Sequence, residues 1–436
     1  MPRKADAITT VQTTRPLPTP EAVQRTYLIL ILGNTLAASF IWGINTIFLL
    51  DAGLSNFQAF AANAFFTAGM VLFEVPTGIT ADTLGRRASY LLGTVTLAAT
   101  TGLYVLLWQV RGPFWAWAVV SMLLGLGFTF FSGAVEAWLV DALDATGFHG
   151  TLESVFSKGQ IVGGAAMLVG SVAGGYIAQV TNLGVPFILR AVVLAVMFAV
   201  AFALMRDIGF TPQRGAGLRS EVRTIVGASM EYGWRVPAVK WLMLAAPFIA
   251  GVQIYAFYAL QPYLLKLYGD EKAYGIAGLV AAIAAGAQIV GGLIGPHIRA
   301  LFRRRTSALL VITAASALTL AAIGFLQQFW TAVALIVVWG LLFAAGMPIR
   351  AAYLNGLIPS QQRATILSFD SMMGSGGGVV IQPALGRAAD VYGYGASYVA
   401  AAAVATLALP FIWLSRRENA AADIAATDRF INAAPD

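Results

Sequence analysis

The chain has 436 residues, 58% of them hydrophobic and only 11% charged, with a net charge of +7 and a mean hydropathy of +0.76. Soluble domains carry about 25% charged residues, so this composition excludes a water-soluble globule and leaves the apolar surplus to face lipid. Cysteine is absent and the two histidines, His149 and His297, are too few for a histidine metal site, so no metal or other cofactor is expected, and the basic excess reads as topology-setting loop arginines rather than a nucleic-acid surface.

In hydrocarbon every backbone polar group must be satisfied within the span, which leaves helices or a closed barrel. Barrel strands alternate in polarity. Here the apolar runs are continuous and about 20 residues long, the length of a helix crossing a bilayer core. Residues 1–25 are polar and rich in Pro and Thr, and read as a disordered cytoplasmic tail. Spans are expected over 26–50, 57–79, 88–109, 113–143, 152–181 and 186–206, a first bundle covering 26–206. The polar stretch 207–238 follows as a cytoplasmic linker. A second bundle, 239–415, holds spans over 239–266, 273–298, 306–326, 329–354, 364–390 and 395–415, and 416–436 is a second cytoplasmic tail.

With the N-terminus inside, the internal segments collect Arg86, Arg87, the linker arginines, Arg299, Arg303–Arg305, Arg363, Arg416 and Arg417. The outside receives only Arg111, Arg190, Lys266, Lys272 and Arg387. Both termini are therefore expected in the cytoplasm. Arginine outnumbers lysine 22 to 5 and no Asn-x-Ser/Thr sequon occurs, which favours a bacterial inner membrane. The halves also repeat. A shift of 215 sets Gly125 and Phe128 on Gly340 and Phe343, and a shift of 214 sets Thr151, Ser154, Ser157, Gly163 and Gly164 on Thr365, Ser368, Ser371, Gly377 and Gly378. Parallel six-helix repeats are a transporter architecture, with substrate bound between them near the midplane.

Between spans 2 and 3 lies Gly78-Ile-Thr-Ala-Asp82-Thr-Leu-Gly85-Arg86-Arg87. This Gly-x-x-x-Asp-x-x-Gly-Arg-Arg loop, with the span count and the half repeat, resembles the signature of the major facilitator superfamily. The resemblance covers the whole chain. It implies an all-α integral membrane protein of about twelve transmembrane helices in two pseudo-symmetric six-helix bundles. It also implies a gate latch, here Asp82 with Arg363 at the start of span 11, and Arg87 with Asp141 beside it. The equivalent second-half loop has Pro296 where Asp82 sits. In span 5, Gly170-Ser171-Val-Ala-Gly174-Gly175 resembles the antiporter motif of drug/proton exchangers, with Ser171 in place of proline. A bending role is implied for these four residues, against ordinary small-residue packing. Many such antiporters carry an arginine in span 4, where this chain has Ser121.

An ionisable group at membrane depth is a functional hypothesis by default. Glu136 in span 4 leads as a proton carrier, followed by Glu74 in span 2, a carrier or a partner of the gate loop, and Asp370 in span 11, a carrier or a hydrated residue near the inner mouth. For Glu136 the alternative is a fixed ion pair with Lys158 or Arg350. The resemblance places spans 1, 4, 7 and 10 around the cavity, so Asn34, Trp42, Asn45, Trp138, Gln253, Tyr255, Tyr258, Gln261 and Arg350 are expected to meet substrate. Trp115, Trp117, Trp330, Trp339 and Trp413 read as interface belts or packing. The function expected is export of a drug-like or metabolite molecule in exchange for protons, by a monomer in the bilayer. The alternatives are a proton symporter for a small nutrient and a non-transporting membrane sensor. No P-loop, nucleophile–base pair or metal cluster supports an enzyme.

Overall fold

A computed structural model describes residues 17–131, 133–212, 227, 235–358 and 363–424. Among the described residues all regular structure is helical, apart from one isolated bridge between Arg304 and Ile424. The first half comprises α1 (Pro20–Trp42), α2 (Asn45–Asp51), α3 (Asn56–Leu84), α4 (Arg86–Val110), α5 (Phe114–Thr129), α6 (Ala134–Ala145), α7 (Leu152–Val180) and α8 (Gly184–Leu204). The second comprises α9 (Pro237–Tyr268), α10 (Tyr274–Ala300), α11 (Arg305–Phe325), α12 (Phe329–Leu357), α13 (Arg363–Thr406) and α14 (Ala408–Arg417).

Among the described residues, eleven helical stretches are long and apolar enough to cross a membrane. The last, Ile366–Arg417, runs 52 residues, about 78 Å at helical rise and more than twice a bilayer core. It breaks at Gly393, where φ is 82°, and so supplies two crossings, which brings the total to the twelve expected. Conversely, α1 with α2 and α5 with α6 are single crossings broken part-way. The expected tails are shorter than the sequence reading put them. α1 begins at Pro20 under a Thr19 cap, inside the segment assigned to the tail. Residues 1–16, most of the linker and 425–436 lie outside the described residues.

Packing repeats between the halves. α1 lies on α7 as α9 lies on α13, and α3 lies on α5 as α10 lies on α12. Between the halves, α3 meets α13 and α7 meets α10. Lipid tails are as apolar as leucine, so close packing rather than hydrophobic burial selects these contacts. Small residues make them possible. A Cβ at Gly174 would overlap the Phe40 carbonyl on α1, and one at Gly175 would come within 2.6 Å of the Tyr274 carbonyl on α10. The tryptophans divide: Trp115 and Trp330 are 68% and 72% exposed on the outer surface, whereas Trp117 and Trp339 are core residues.

Candidate functional site

The signature loop is built around its own half. At Gly85 φ is 103° and a Cβ would collide with Asp207, so only glycine makes this reversal. Asp207, just past α8, accepts from the backbone N–H of Arg87 at 2.9 Å and caps α4. The Arg87 guanidinium donates to the Phe202 carbonyl at 2.6 Å and lies over the Phe202 ring. Burial holds the Asp207 carboxyl above its usual range, against the lowering by Arg87 and Arg86. Asp82 pairs with Arg86 at 2.6 Å, one turn on. In this arrangement Arg87 meets Asp207 and Phe202, and Arg363 donates to the Asn355 carbonyl at 3.5 Å. The latch that the resemblance implies, Asp82 with Arg363 and Arg87 with Asp141, belongs to the outward-facing state and is not formed among the described residues here. Nothing lies within 4 Å of a Cβ built on Gly78.

The second half repeats the device. Asp423, beyond α14, accepts from the Thr306 N–H and hydroxyl at 2.8 Å each and caps α11. Arg304 and Arg305 flank it, donating to Asn419 and to the Ala422 carbonyl. Residues 418–424 are therefore bound back onto the bundle.

At the opposite end, hereafter the far end, the halves are stitched together. Asp390 on α13 accepts from the N–H groups of Asn56 and Phe57 at 2.9 Å each, capping α3 from across the interface. Tyr394 donates to the Asn56 side chain. In the mirrored position, Gln179 on α7 accepts from the Gly275 N–H of α10 at 2.9 Å. Gln261 joins the break in the first span, donating to the Trp42 carbonyl at 2.6 Å and accepting from the Thr46 N–H at 2.9 Å. The deepest of these links is Gln382 to Thr67, at 3.4 Å.

The membrane carboxylates part ways. Glu136 sits in the first turn of α6, after a break in which Gly133 has φ 69°. It is exposed and electrostatically coupled to Tyr27 of α1. No ion pair to it occurs among the described residues, so neither expected partner is engaged: Lys158 is exposed, and Arg350 is occupied elsewhere. Arg350 donates twice to buried Asp370, at 2.6 Å each, and once to the Leu242 carbonyl at 3.3 Å. Asp370 is thus the counter-ion of Arg350 in this arrangement. Glu74 lies on an exposed face of α3, two residues before Pro76.

The expected cavity residues separate as well. Trp138 is buried and donates to the Arg206 carbonyl at 2.6 Å, and Tyr255 is buried with its hydroxyl on Ser397 at 2.6 Å. Both belong to bundle cores, because each polar tip finds its partner there. Gln261 is a seam residue. Asn34 accepts from Tyr90 at 2.7 Å, and Asn45 donates to Asn63 at 3.1 Å. Trp42 packs edge-on against Phe257 across the halves. Gln253 and Arg350 line a cavity of about 70 Å³ within the second half, with Thr313, Ser316 and Trp339. The residues Gly170 to Gly175 lie within the continuous helix α7. Ser171 is buried beside Gly278 of α10.

Sequence reasoning missed Asp207, Asp390, Asp423, Gln179 and Arg190. Asp207 and Asp423 stand 216 residues apart, close to the repeat offset, which would have exposed the shared capping role. Arg190 was assigned to the outside but is 3% exposed inside α8. Its place four residues into an expected span was the available signal.

Two six-helix halves of matching packing, joined along a central interface, define a helical membrane transporter of the parallel-repeat kind. The family model of the Major Facilitator Superfamily matches residues 27–322 and 243–432. The chain belongs to that superfamily. Its fold is similar to that of a mutant of nucleoside transporter NupG (TM-score 0.74, 14% identity, 90% of this chain and 99% of that one). It is also similar to a POT family transporter in complex with a thioalcohol-conjugated peptide (TM-score 0.67, 13% identity, 91% and 96%). A third similar structure is a D-xylose-proton symporter (TM-score 0.65, 14% identity, 90% and 96%). Identities this low speak for the fold alone. No curated protein matches the chain by sequence.

Proposed function

We propose that this chain is a secondary active transporter that works by alternating access and uses the proton gradient to export a drug-like or metabolite molecule. One observation carries the alternating-access reading. The named bonds between the halves run from the far end only as deep as Thr67 and Gln382, while Gly78 and Gly292, toward the other end, meet nothing. With the arginine-rich end in the cytoplasm, this arrangement is sealed outside and open inside.

Glu136 is the coupling group in this reading. It stands in the first turn of a helix, and no basic residue pairs with it among the described residues. Movement of the halves changes its solvation, and solvation is what shifts a carboxyl between protonated and ionised. The α7 motif supports export. Ser121 in place of the span-4 arginine, and Ser171 in place of proline, favour the second reading, proton-coupled uptake.

Proteoliposomes with an imposed pH gradient of either sign decide between the two, with substrates screened in both directions. Glu136→Gln should abolish gradient-driven accumulation while leaving substrate binding and exchange intact. Full proton coupling in that variant would remove Glu136 from the mechanism.

A further inference from the structure

Arg190 is the most anomalous charge in the molecule. It is 3% exposed, six residues into α8, inside the first half. Its Nε has no hydrogen-bond partner, and no carboxylate pairs with it among the described residues. The titratable groups within its electrostatic reach are Tyr104 of α4 and Tyr258 of α9. Its guanidinium lies 6.0 Å from the centre of the Phe128 ring. Tyr104 is held by Ser121, hydroxyl to hydroxyl at 2.6 Å. A positive charge therefore arrives from α8 beside the very position where span 4 lacks one.

Such a charge is costly. An arginine at membrane depth is disfavoured on every insertion scale, and a buried ion is tolerated when it is paired. Arg350 follows that rule through Asp370; Arg190 does not. The location supplies the rest of the argument. Tyr258 belongs to the opposite half, so Arg190 borders the central interface. Tyr258 stands three residues before Gln261, which ties the halves at Trp42 and Thr46. If the halves part at the far end, Tyr258 leaves with α9 while Arg190 stays with α8, facing the opening.

We infer that Arg190 is the anchoring point for an anionic cargo: an organic monoanion whose charged group meets the guanidinium while its apolar body packs among Tyr104, Phe128 and Tyr258. Guanidinium recognises carboxylate-type anions through paired N–H donors. Three aromatic rings around one cation suit an amphipathic ligand better than a bare inorganic ion. The inference rests on the transporter reading above but adds the substrate class.

The test is thermal stability of the purified full-length protein in detergent, with benzoate as the probe and benzamide as its uncharged counterpart. Benzoate should raise the Tm of the parent protein, and benzamide should not. Arg190→Met should abolish the benzoate shift and, by removing an unpaired buried charge, should hold or raise the Tm without ligand. Arg190→Lys should keep part of the shift, and Tyr258→Phe should keep the fold while weakening the response. Equal responses of parent and Arg190→Met, or no benzoate response in the parent, would overturn the proposal. So would a large loss of Tm in Arg190→Met with no benzoate effect in the parent, the mark of a purely structural arginine. Binding in detergent requires no gradient, so failure here leaves the Glu136 coupling experiment untouched.

Discussion

Among single residues, the two arginines buried at depth show how context divides one chemistry into two roles. Arg350 is neutralised by Asp370 through two short bonds. Breaking such a pair strands a charge and costs about 3–5 kcal/mol, whereas replacing both partners by apolar groups is close to neutral. Asp370→Asn should therefore lower the Tm of the purified protein markedly, and the double variant Asp370→Leu with Arg350→Met should recover most of it. A single variant with wild-type Tm and lost proton coupling would return Asp370 to the carriers. The sequence could flag both residues as charges at depth, and the repeat offset placed Arg350 beside Glu136. It could not show that α13 brings Asp370 closer still, because pairing depends on helix rotation, which spacing along the chain does not encode.

For the elements, the recurrent event is a side chain from one helix completing the first turn of another. The first turns of a helix leave N–H groups without partners. Four times a residue distant in sequence supplies the acceptor: Asp207 on α4, Asp423 on α11, Asp390 on α3 and Gln179 on α10. The first two act within a half and the last two between halves. Asp390 offers two charged bonds to α3. A cap is worth about 1–2 kcal/mol, enough to move a two-state balance by roughly 5–30-fold. Asp390→Ala should thus shift the protein away from the far-sealed state. The chain has no cysteine, so one cysteine placed at Phe60 would report it, with faster labelling by a membrane-impermeant maleimide in the variant. Unchanged labelling would mean that the cap does not hold the seam. Spans and the signature loop were legible in the sequence because hydropathy and Gly act locally, whereas the breaks after Trp42 and Thr129 were not foreseen. Nor were the caps, since each joins residues separated by 96 to 334 positions.

On the scale of the whole molecule, the interface is uneven. Among the described residues its polar links crowd toward one end, and its small residues line α7 and α10 where backbones nearly touch. That contrast is what a rocking pair of rigid bodies requires: bonds that can be exchanged at the rims, and smooth close packing at the fulcrum. The sequence foretold the two bodies from their repeat. It did not foretell which end would be closed, because the two states share one sequence and differ only in which rim is bonded.

The paired clips Asp207 on α4 and Asp423 on α11 carry a consequence for assembly. Each ties the last crossing of a half to its third, closing that half upon itself without help from the other. Each half should then fold as a module in its own right, without need of the covalent connection. Two polypeptides encoded separately and divided within the linker should insert independently, find one another in the bilayer and co-purify as a functional complex. Asp207→Ala should impair that complementation through the first module and Asp423→Ala through the second, as read by the yield of the untagged half recovered with the tagged one.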